Sequence, residues 1–545
     1  MDTHEVTNQP PLRAGLDEYA ANVPLVEGVE RYAAGWASGD LHRVGALVGT
    51  ADFQADAALA NRHEPELHTH DRWGRRADEV SYHPAYHRVI SAAVAAGAHT
   101  AAWAQPRPGA NVARAATFLL FAQVEPGHAC PVSMTHAAVP SLRLAPDLAR
   151  DWLPRLLSRD YDPTLRPGKT SALVGMAMTE KQGGSDVRAG TSRAVPAADG
   201  THRLTGHKWF CSAPMSDAFL VLAQAPEGLT CFLVPRVLPD GTRNAFRIQR
   251  LKDKLGNRAN ASAEVEFADT VGVRVGEPGR GVPAIIEMVS RTRLDCVLGS
   301  AAGMRQSVAE AVWHARHRSA FGALLVDQPA MTAVLADLAL ESEAATATAL
   351  RLARAHDEDA GDAERAFRRL ATPVAKYWVC KRGPGHAYEA LECLGGNGYT
   401  EAFPLAMRYR EQPVMAVWEG SGNVIALDVL RVLARSPEAL EAFDAEVAVA
   451  EGAHPLLDEH LARTRSLARE LAADPTSATA AHRARSLVAA LALALQASLL
   501  LRESPAPVAE AFVGARLGAS GPAGPGLLYG ALPEGSDLAA VLARH

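Results

Sequence analysis

The spacing of apolar residues divides the chain into a helical part, a strand-rich part and a second helical part. From about residue 16 to 157, segments such as "YHRVISAAVAAGAHTAAWA" carry apolar residues at helical spacing. From about residue 171 to 269, short runs such as "AFLVLAQA" and the alternating "SAEVEF" are separated by Gly, Pro and Asp turns, which predicts strands. Long helical patterns return from residue 282 to 434. This order predicts an α+β protein that is mainly α.

The length of 545 residues predicts several domains. We expect an N-terminal helical domain at 1–170, a middle β domain at 171–281, a helical bundle at 282–436 and an appended helical domain at 437–545. No GxGxxG motif follows a strand, and the strands do not alternate with helices. The pattern is therefore not that of a Rossmann fold.

Charge and cysteine usage narrow the classes of function. The formal net charge of −6 gives no general electrostatic reason to bind nucleic acid. Six scattered cysteines without a CxxC pair are typical of free thiols in a reducing compartment, so we expect a cytoplasmic protein. The apolar run "SLVAALALALQASLLL" is shorter than the ~20 residues of a membrane-spanning helix and predicts a buried helix, so no membrane partner is expected.

Two short motifs in the strand-rich part could bind a flat, phosphate-bearing ligand. In "GMAMTEKQGGSDV" a strand runs into a Gly-Gly-Ser-Asp turn whose backbone N–H groups, with Thr179 and Ser185, could bind a pyrophosphate or a ring edge. An ordinary strand-to-loop turn is the alternative interpretation. In "GHKWFCSA", Phe210 and Ser212 share one face of a strand and could stack on a ring and bond its edge. The alternative is a core aromatic residue.

A third motif, "AVWEGSGNVIALDVL", places a carboxylate before a helix. Ser421 or Asn423 can cap this helix, whose N-terminal N–H groups would face an electron-rich partner. Glu419 stands just before the cap beside Trp418, and burial would make such a carboxyl group a better base. A surface acid that offsets the helix dipole is the alternative.

Taken together, the motifs resemble the acyl-CoA dehydrogenase family of flavoproteins. "MTEKQGGSDV" is similar to the family's flavin loop, "GHKWFCS" to its G-x-K-x-W-I-T strand and "RSAFGALLVDQP" to its R-x-x-F-G helix. "LGGNGY" matches its L-G-G-x-G turn, and "YREQPVMAVWEGSGN" is similar to the segment with the catalytic glutamate. The resemblance is greatest to the AidB-like branch, through "EKQGGSDV", "RLKDKLGNRANAS", "CKRG" and "WEGSGN".

The resemblance implies a fold, a cofactor and a set of roles. The fold is a helical N-terminal domain, a β-barrel-like middle domain and a four-helix bundle, followed by the extra helical domain. Members are dimers or tetramers that bind FAD and act on acyl-CoA thioesters. Glu419 would be the catalytic base, since the position that some members use instead falls at about Thr292, which cannot serve. The residues that would bind FAD are Met176, Ala177, Met178, Thr179, Gly184, Ser185, Phe210, Cys211, Ser212, Arg318, Phe321, Gly395, Gly396, Val417, Trp418, Gly420, Ser421, Gly422, Asn423 and Leu427.

Two functions from different classes follow from the resemblance. The first is an FAD-dependent acyl-CoA dehydrogenase, with short branched thioesters such as isovaleryl-CoA as candidate substrates. The second is an AidB-like flavoprotein that binds double-stranded DNA through its C-terminal domain and protects it from alkylation. Residues 435–545 contain nine arginines, no lysine and thirteen acidic residues, which does not favour DNA binding. No metal is expected, because the histidines near "HTH" have no cysteine or regular helical spacing to support a zinc site.

Overall fold

The computed structural model describes residues 3–518 and 529–545, so a part of the predicted appended domain lies outside the described residues. The N-terminal elements are α1 (Val23–Arg31), α2 (Ser38–Val48), α3 (Ala51–Arg62), β1 (Glu66–His70), β2 (Arg76–Ser81), α4 (Pro84–Ala95), α5 (Ala101–Ala104), α6 (Ala110–Ala122), α7 (Ala129–Leu142) and α8 (Pro146–Leu156). The strands of the middle part are β3 (Val174–Ala177), β4 (Arg193–Pro196), β5 (His202–Ser212), β6 (Ala218–Ala225), β7 (Gly228–Pro235), β8 (Phe246–Leu251) and β9 (Ser262–Val275).

Helices dominate the remainder of the chain. The elements are α9 (Gly281–His317), β10 (Ser319–Ala320), β11 (Ala323–Leu324), α10 (Pro329–Ala355), α11 (Asp362–Cys393), α12 (Leu405–Val417), α13 (Gly422–Arg435), α14 (Pro437–Ala448), α15 (Pro455–Ala473), α16 (Ala478–Glu503), α17 (Ala506–Leu517) and α18 (Leu538–Leu542). The chain forms two compact units. The barrel unit comprises Asp52–Pro106 and Val124–Asp295, and the helical unit comprises Met1–Ala51, Arg107–Gln123 and Cys296–His545.

The strands of the barrel unit close into a ring. β6 pairs with β7, β7 with β9, β9 with β5, β5 with β4, and β4 returns to β6 through one pair of residues. β3 extends the ring beside β6, and β8 pairs with β9. Four phenylalanines, Phe219, Phe232, Phe246 and Phe267, are buried in its core. The closed ring confirms the expected β-barrel-like middle part and leaves few exposed strand edges.

In the helical unit, α11 is the central helix. It packs against α10, α12, α13, α14 and α16. Because α16 also packs against α10 and α13, the C-terminal helices belong to the same compact unit as the predicted bundle. In the described part of the chain α16 alone is long and apolar enough to cross a membrane, and 67% of its apolar window is buried inside the protein. The prediction of a buried helix is confirmed.

Two segments differ from the sequence-based expectation. The "RSAFGALLVDQP" segment, expected to be helical, forms a hairpin in which β10 and β11 pair and α10 begins only at Pro329. Phe321 and Gly322 have φ angles of 53° and 82°, and these left-handed conformations make a tight turn that a helix cannot contain. Within the expected helical N-terminal domain, β1 and β2 also form an antiparallel hairpin.

Candidate cofactor and substrate site

A buried ion pair fixes the predicted flavin loop of the barrel unit. Glu180 accepts a hydrogen bond of 2.7 Å from Lys208 Nζ, and both side chains are about 1% exposed. Its carboxylate also accepts bonds of 2.6 Å from the Thr191 backbone N–H and 3.1 Å from that of Ser192. Burial alone would raise the pKa of Glu180, but the hydrogen bond and charge of Lys208 and the backbone donors hold it well below its ordinary value. The carboxylate therefore stays ionised and ties the loop to strand β5.

The predicted loop and strand of the barrel unit meet through backbone contacts. The Trp209 N–H donates to the Thr179 carbonyl at 2.8 Å, and Lys208 Nζ also lies 3.4 Å from the Met178 carbonyl oxygen. A Cβ on Gly184 would lie 2.4 Å from Thr179 Oγ1, so only glycine fits the turn. Ser185 is exposed beyond this turn. The structure thus brings residues 178–180 next to Lys208 and Trp209, which directly precede Phe210 on β5.

A β-bulge directs Phe210 outwards. The pairing of β5 with β9 shifts between Lys208 and Cys211, so that two buried residues stand three positions apart instead of two. Cys211 is buried in the barrel core, whereas Phe210 is 49% exposed and Ser212 is half-buried beyond it. The alternative of a core aromatic residue at Phe210 is wrong, because its ring is half exposed, with Lys252 Nζ 4.8 Å from its centroid.

In the helical unit, Glu419 lies in a sharp loop between α12 and α13. It is half-buried, with a φ angle of 58°, and Gly420 follows with a φ angle of 108°. A left-handed conformation at a non-glycine residue costs about 1–3 kcal/mol and persists only where the surroundings impose it. Lys376 of α11 donates a hydrogen bond of 2.6 Å to the Gly420 carbonyl and so holds the loop from one side.

Trp418 holds the same loop from the other side. Its ring packs against a buried cluster of Cys296, Cys380 and Met415. Its indole Nε1 is buried and has no hydrogen-bond partner in the described part of the chain. An unpaired buried donor of this kind is unfavourable in the free protein and can be satisfied by a ligand group. All six cysteines, the two of this cluster included, are buried, and none of them is in a disulfide.

The predicted cap of α13 is wrong in one respect. Ser421 occupies the N-cap position, but neither its side chain nor that of Asn423 caps the helix. Asn423 Oδ1 instead accepts a hydrogen bond of 2.8 Å from Arg485 Nε, a residue of α16. The predicted apolar face is confirmed, since its members are all buried: Ile425, Val429, Val432 and Leu433. The first N–H groups of α13 therefore remain available to a ligand.

Several other predicted cofactor residues of the helical unit are exposed, whereas Arg318 and Gly420 are half-buried and Gly422 is buried. Phe321 is fully exposed at the tip of the hairpin, and Val417 and Leu427 are 64% and 39% exposed. Arg318 donates from Nη1 to the Asn8 carbonyl at 2.9 Å. Gly395 and Gly396 are exposed in a short 3₁₀ turn, Gly395–Tyr399, that packs on α11 and α12.

Two further predictions concern the alternative base position at Thr292 and the histidines near the N-terminus. Thr292, the alternative position for the base, is buried, and its hydroxyl lies 3.2 Å from the carbonyl oxygens of both Met288 and Val289. In the described ranges no three His, Cys, Asp or Glu side chains are close enough to hold a metal ion. His63 stacks on His83, and His68 Nε2 lies 2.9 Å from the Ser81 hydroxyl.

The residues that line the predicted cofactor regions fit FAD. In the barrel unit, the exposed ring of Phe210 and the hydroxyl of Thr179 suit a flat ring. In the helical unit, the start of α13, which no side chain caps, suits a phosphate. Glu180, Lys208, Lys376 and Arg485 were missed. Their partners are 28, 44 and 62 residues away in sequence, so no local pattern signals them.

Comparison with known proteins agrees with this geometry. Residues 8–163 match the model of the AidB N-terminal domain, residues 175–270 that of the acyl-CoA dehydrogenase middle domain, and residues 279–434 that of the C-terminal domain. AidB of Escherichia coli (strain K12) is 51% identical over 435 residues, which are 79% of this chain and 80% of that protein. Acyl-CoA dehydrogenase family member 11 of Caenorhabditis elegans is 30% identical over 448 residues, 78% of this chain and 71% of that protein.

Solved structures show the same fold. Caenorhabditis elegans ACDH-11 in complex with C11-CoA superposes with a TM-score of 0.84 at 27% identity and covers 93% of this chain and 91% of its own. Acyl-CoA dehydrogenase of Bacillus anthracis complexed with FAD has a TM-score of 0.64 at 17% identity, with 79% of both chains covered, and supports the fold alone. The chain therefore belongs to the AidB-like branch of the FAD-dependent acyl-CoA dehydrogenases.

Proposed function

We propose that this chain forms a double bond between the α and β carbons of an acyl-CoA thioester and that Glu419 removes the α-proton. The observation that carries this role is the left-handed conformation of Glu419, which Lys376 and Trp418 impose from both sides of the loop. A loop that is held in place beside an apolar cluster suits a general base, because the backbone of the base is positioned before the substrate arrives.

The rest of the site positions the substrate and the cofactor. When bound, FAD accepts the β-hydrogen together with its electron pair. The Glu419 backbone N–H would donate to the thioester carbonyl and so make the α-proton more acidic. The ring of Phe210 and the hydroxyls of Thr179 and Ser212 would orient the flavin. Short branched thioesters such as isovaleryl-CoA are the first candidates for the substrate.

An anaerobic titration of the purified yellow protein tests this function. The absorbance of oxidised flavin would be followed while a panel of acyl-CoA thioesters, beginning with isovaleryl-CoA, is added to the wild type, to Glu419→Gln and to Glu438→Gln. Glu438 is an exposed acid at the start of α14 and serves as the matched control. We expect bleaching in the wild type and the control but not in Glu419→Gln. FAD-loaded wild-type protein that no thioester bleaches would contradict the proposal.

The same family membership supports a homodimer or homotetramer. Phe321 is fully exposed at the tip of its hairpin, where a left-handed backbone turns the ring away from its own chain. An exposed aromatic ring of this kind suits insertion into a second subunit beside its flavin. Light scattering of the wild type and of Phe321→Asn, a residue that tolerates left-handed φ, would test this. A monomeric wild type would contradict the assembly.

The DNA-protecting function is supported only by the resemblance to the AidB-like branch. Six of the nine arginines in residues 435–545 contact carboxylates, and the partners of three of them are Glu446, Glu470 and Glu459. Neutralised arginines contribute little to phosphate binding, which depends on net cationic charge. The DNA role stays a prediction, and a gel-shift experiment with duplex DNA at low salt tests it. Absence of a shift there would end it.

A further inference from the structure

Three cationic side chains converge near the start of α13. Lys376 and Lys381 come from α11, and Arg485 comes from α16. A Cβ on Gly422, the first residue of α13, would lie 3.1 Å from Lys381 Nζ and 3.5 Å from Arg485 Nη2. Lys376 Nζ is bonded to the Gly420 carbonyl, two residues earlier. The loop that carries Glu419 thus enters α13 between cations from two different helices.

No carboxylate among the described residues neutralises Lys381 or Arg485. The nearest aromatic partner of Lys381 is the ring of Tyr377, whose centroid lies 5.7 Å from Nζ, and Arg485 bonds the neutral amide oxygen of Asn423. Partial burial lowers the pKa of Lys381, and repulsion from Arg485 and Lys376 lowers it further. Lys381 and Arg485 are both exposed, so water screens their repulsion in part, and an anion bound between them would remove it.

This cluster differs from the arginines around it. Arg483 lies two residues before Arg485 on the same helix and pairs with Glu470. Most of the other arginines after residue 435 also pair with a carboxylate. A site that keeps cations without acids, in a segment where most cations are paired, indicates an anionic ligand.

The chemistry of the site suits a phosphate group. The first N–H groups of α13 have no side-chain cap and add their partial positive charge to those of the cations. Lysine supplies a compact charge and arginine a planar fork of donors, and both bind phosphate oxygens with charge-assisted hydrogen bonds. Ser421, which is exposed, can add a hydroxyl.

We propose that Lys381 and Arg485 bind the phosphates of FAD, so that α16 contributes a cofactor-binding residue from the C-terminal segment. We take FAD as the occupant because the chain belongs to an FAD-dependent family and the cations flank residues 420–423, which the sequence motif predicts to bind this cofactor. Arg485 also holds Asn423 through its Nε, which leaves its Nη groups free to face the phosphate. The inference goes beyond the dehydrogenation chemistry, since it concerns cofactor affinity and not the role of Glu419.

The experiment measures FAD affinity by flavin fluorescence and thermal midpoint against FAD concentration. The variants are Lys381→Gln, Arg485→Gln and Arg485→Lys, with Arg483→Gln as the control that removes one charge from the same helix. We expect Lys381→Gln and Arg485→Gln to weaken FAD binding about tenfold or more, because each loses a charge-assisted bond. Arg485→Lys should keep part of the affinity, and Arg483→Gln should stay within about twofold of the wild type.

The midpoint separates binding from a purely structural role. Without added FAD, Lys381→Gln should unfold at or above the wild-type midpoint, because it relieves repulsion in the cluster, and Arg485→Gln should unfold close to the wild-type midpoint, because the relief is offset by the lost bond to Asn423. With saturating FAD both should unfold below it. Equal FAD affinity in all variants would overturn the proposal, as would weaker binding of acyl-CoA with FAD affinity unchanged, which would assign the cations to the phosphates of CoA. These readouts need no turnover, so failure of the dehydrogenase function would leave the inference standing.

Discussion

Lys376 Nζ donates a hydrogen bond of 2.6 Å to the carbonyl oxygen of Gly420, the residue that follows Glu419. The lysine is 1% exposed and projects from the central helix α11, so this contact ties the loop of the proposed base to the most constrained part of the helical unit. The backbone of the loop that carries Glu419 therefore depends on a residue of another helix.

Replacing Lys376 should slow proton removal without removing the base. In Lys376→Met the Gly420 carbonyl loses its donor and the loop can relax from its left-handed conformation, so we expect kcat to fall about tenfold or more. Stopped-flow reduction of the flavin by an active acyl-CoA measures this step. Arg369→Met, at an exposed position on the same helix, is the control. A wild-type rate in Lys376→Met would show that the contact does not position Glu419.

Two glycines of α11, Gly383 and Gly385, should respond in opposite ways to replacement by alanine. A Cβ on Gly383 would lie 2.2 Å from Gln412 Oε1, whereas nothing lies within 4 Å of a Cβ on Gly385, two residues later on α11. Gly383→Ala should therefore destabilise the protein by about 1–3 kcal/mol through overpacking. Gly385→Ala should stabilise it by about 0.5–1 kcal/mol through helix propensity. Urea denaturation measures both, and equal effects would contradict the packing described.

Replacing only Glu180 of the buried pair Glu180 and Lys208 should destabilise the protein more than replacing both residues. Glu180→Gln leaves the Lys208 cation buried without its anion and should cost about 3–5 kcal/mol of unfolding free energy. Glu180→Gln combined with Lys208→Met should recover a part of that loss, because no unpaired charge remains. Denaturation of the single and double variants measures this coupling. A double variant less stable than Glu180→Gln would contradict it.

The same pair predicts an acid dependence of stability. The pKa of Glu180 is held well below its ordinary value of about 4.3 in the folded protein. Its contribution to stability is therefore complete above about pH 4.3 and is lost as the pH falls from there towards the folded pKa. The stability of the wild type should fall more steeply below about pH 4.3 than that of Glu180→Gln, as measured by urea midpoints from pH 6 to 3. Parallel curves would contradict the assignment.

The sequence predicted those structural features that depend on residues close to one another along the chain. The strands of the barrel and the buried face of α13, including Ile425 and Val429, follow from alternation and helical spacing and were predicted. The hairpin at Phe321 was not, because a tight turn inside an apolar run resembles a helix until its φ angles are known. The prediction that Asn423 caps α13 was wrong, because its side chain accepts a hydrogen bond from Arg485, which is far away in sequence.

The candidate site residues also divide into those that a local motif indicates and those that it does not. The motifs single out Glu419, Thr179 and Phe210 as site residues, because each motif is contiguous in sequence, and their roles stay predictions. Lys376, Lys208 and Arg485 carry no such signal, since a single buried or exposed cation is indistinguishable from any other until its partner is located. Contacts between residues far apart in sequence, such as these, become visible only in the structure.

The most direct test of the central claim is deuterium exchange at the α carbon of an acyl-CoA. The protein would be incubated in D2O with isovaleryl-CoA and with straight-chain thioesters, and mass spectrometry would measure the deuterium incorporated into the recovered thioester. We predict incorporation with the wild type and with Glu438→Gln, and none above the protein-free rate with Glu419→Gln. Equal incorporation by the wild type and Glu419→Gln would contradict the account, because it would show that another group removes the α-proton.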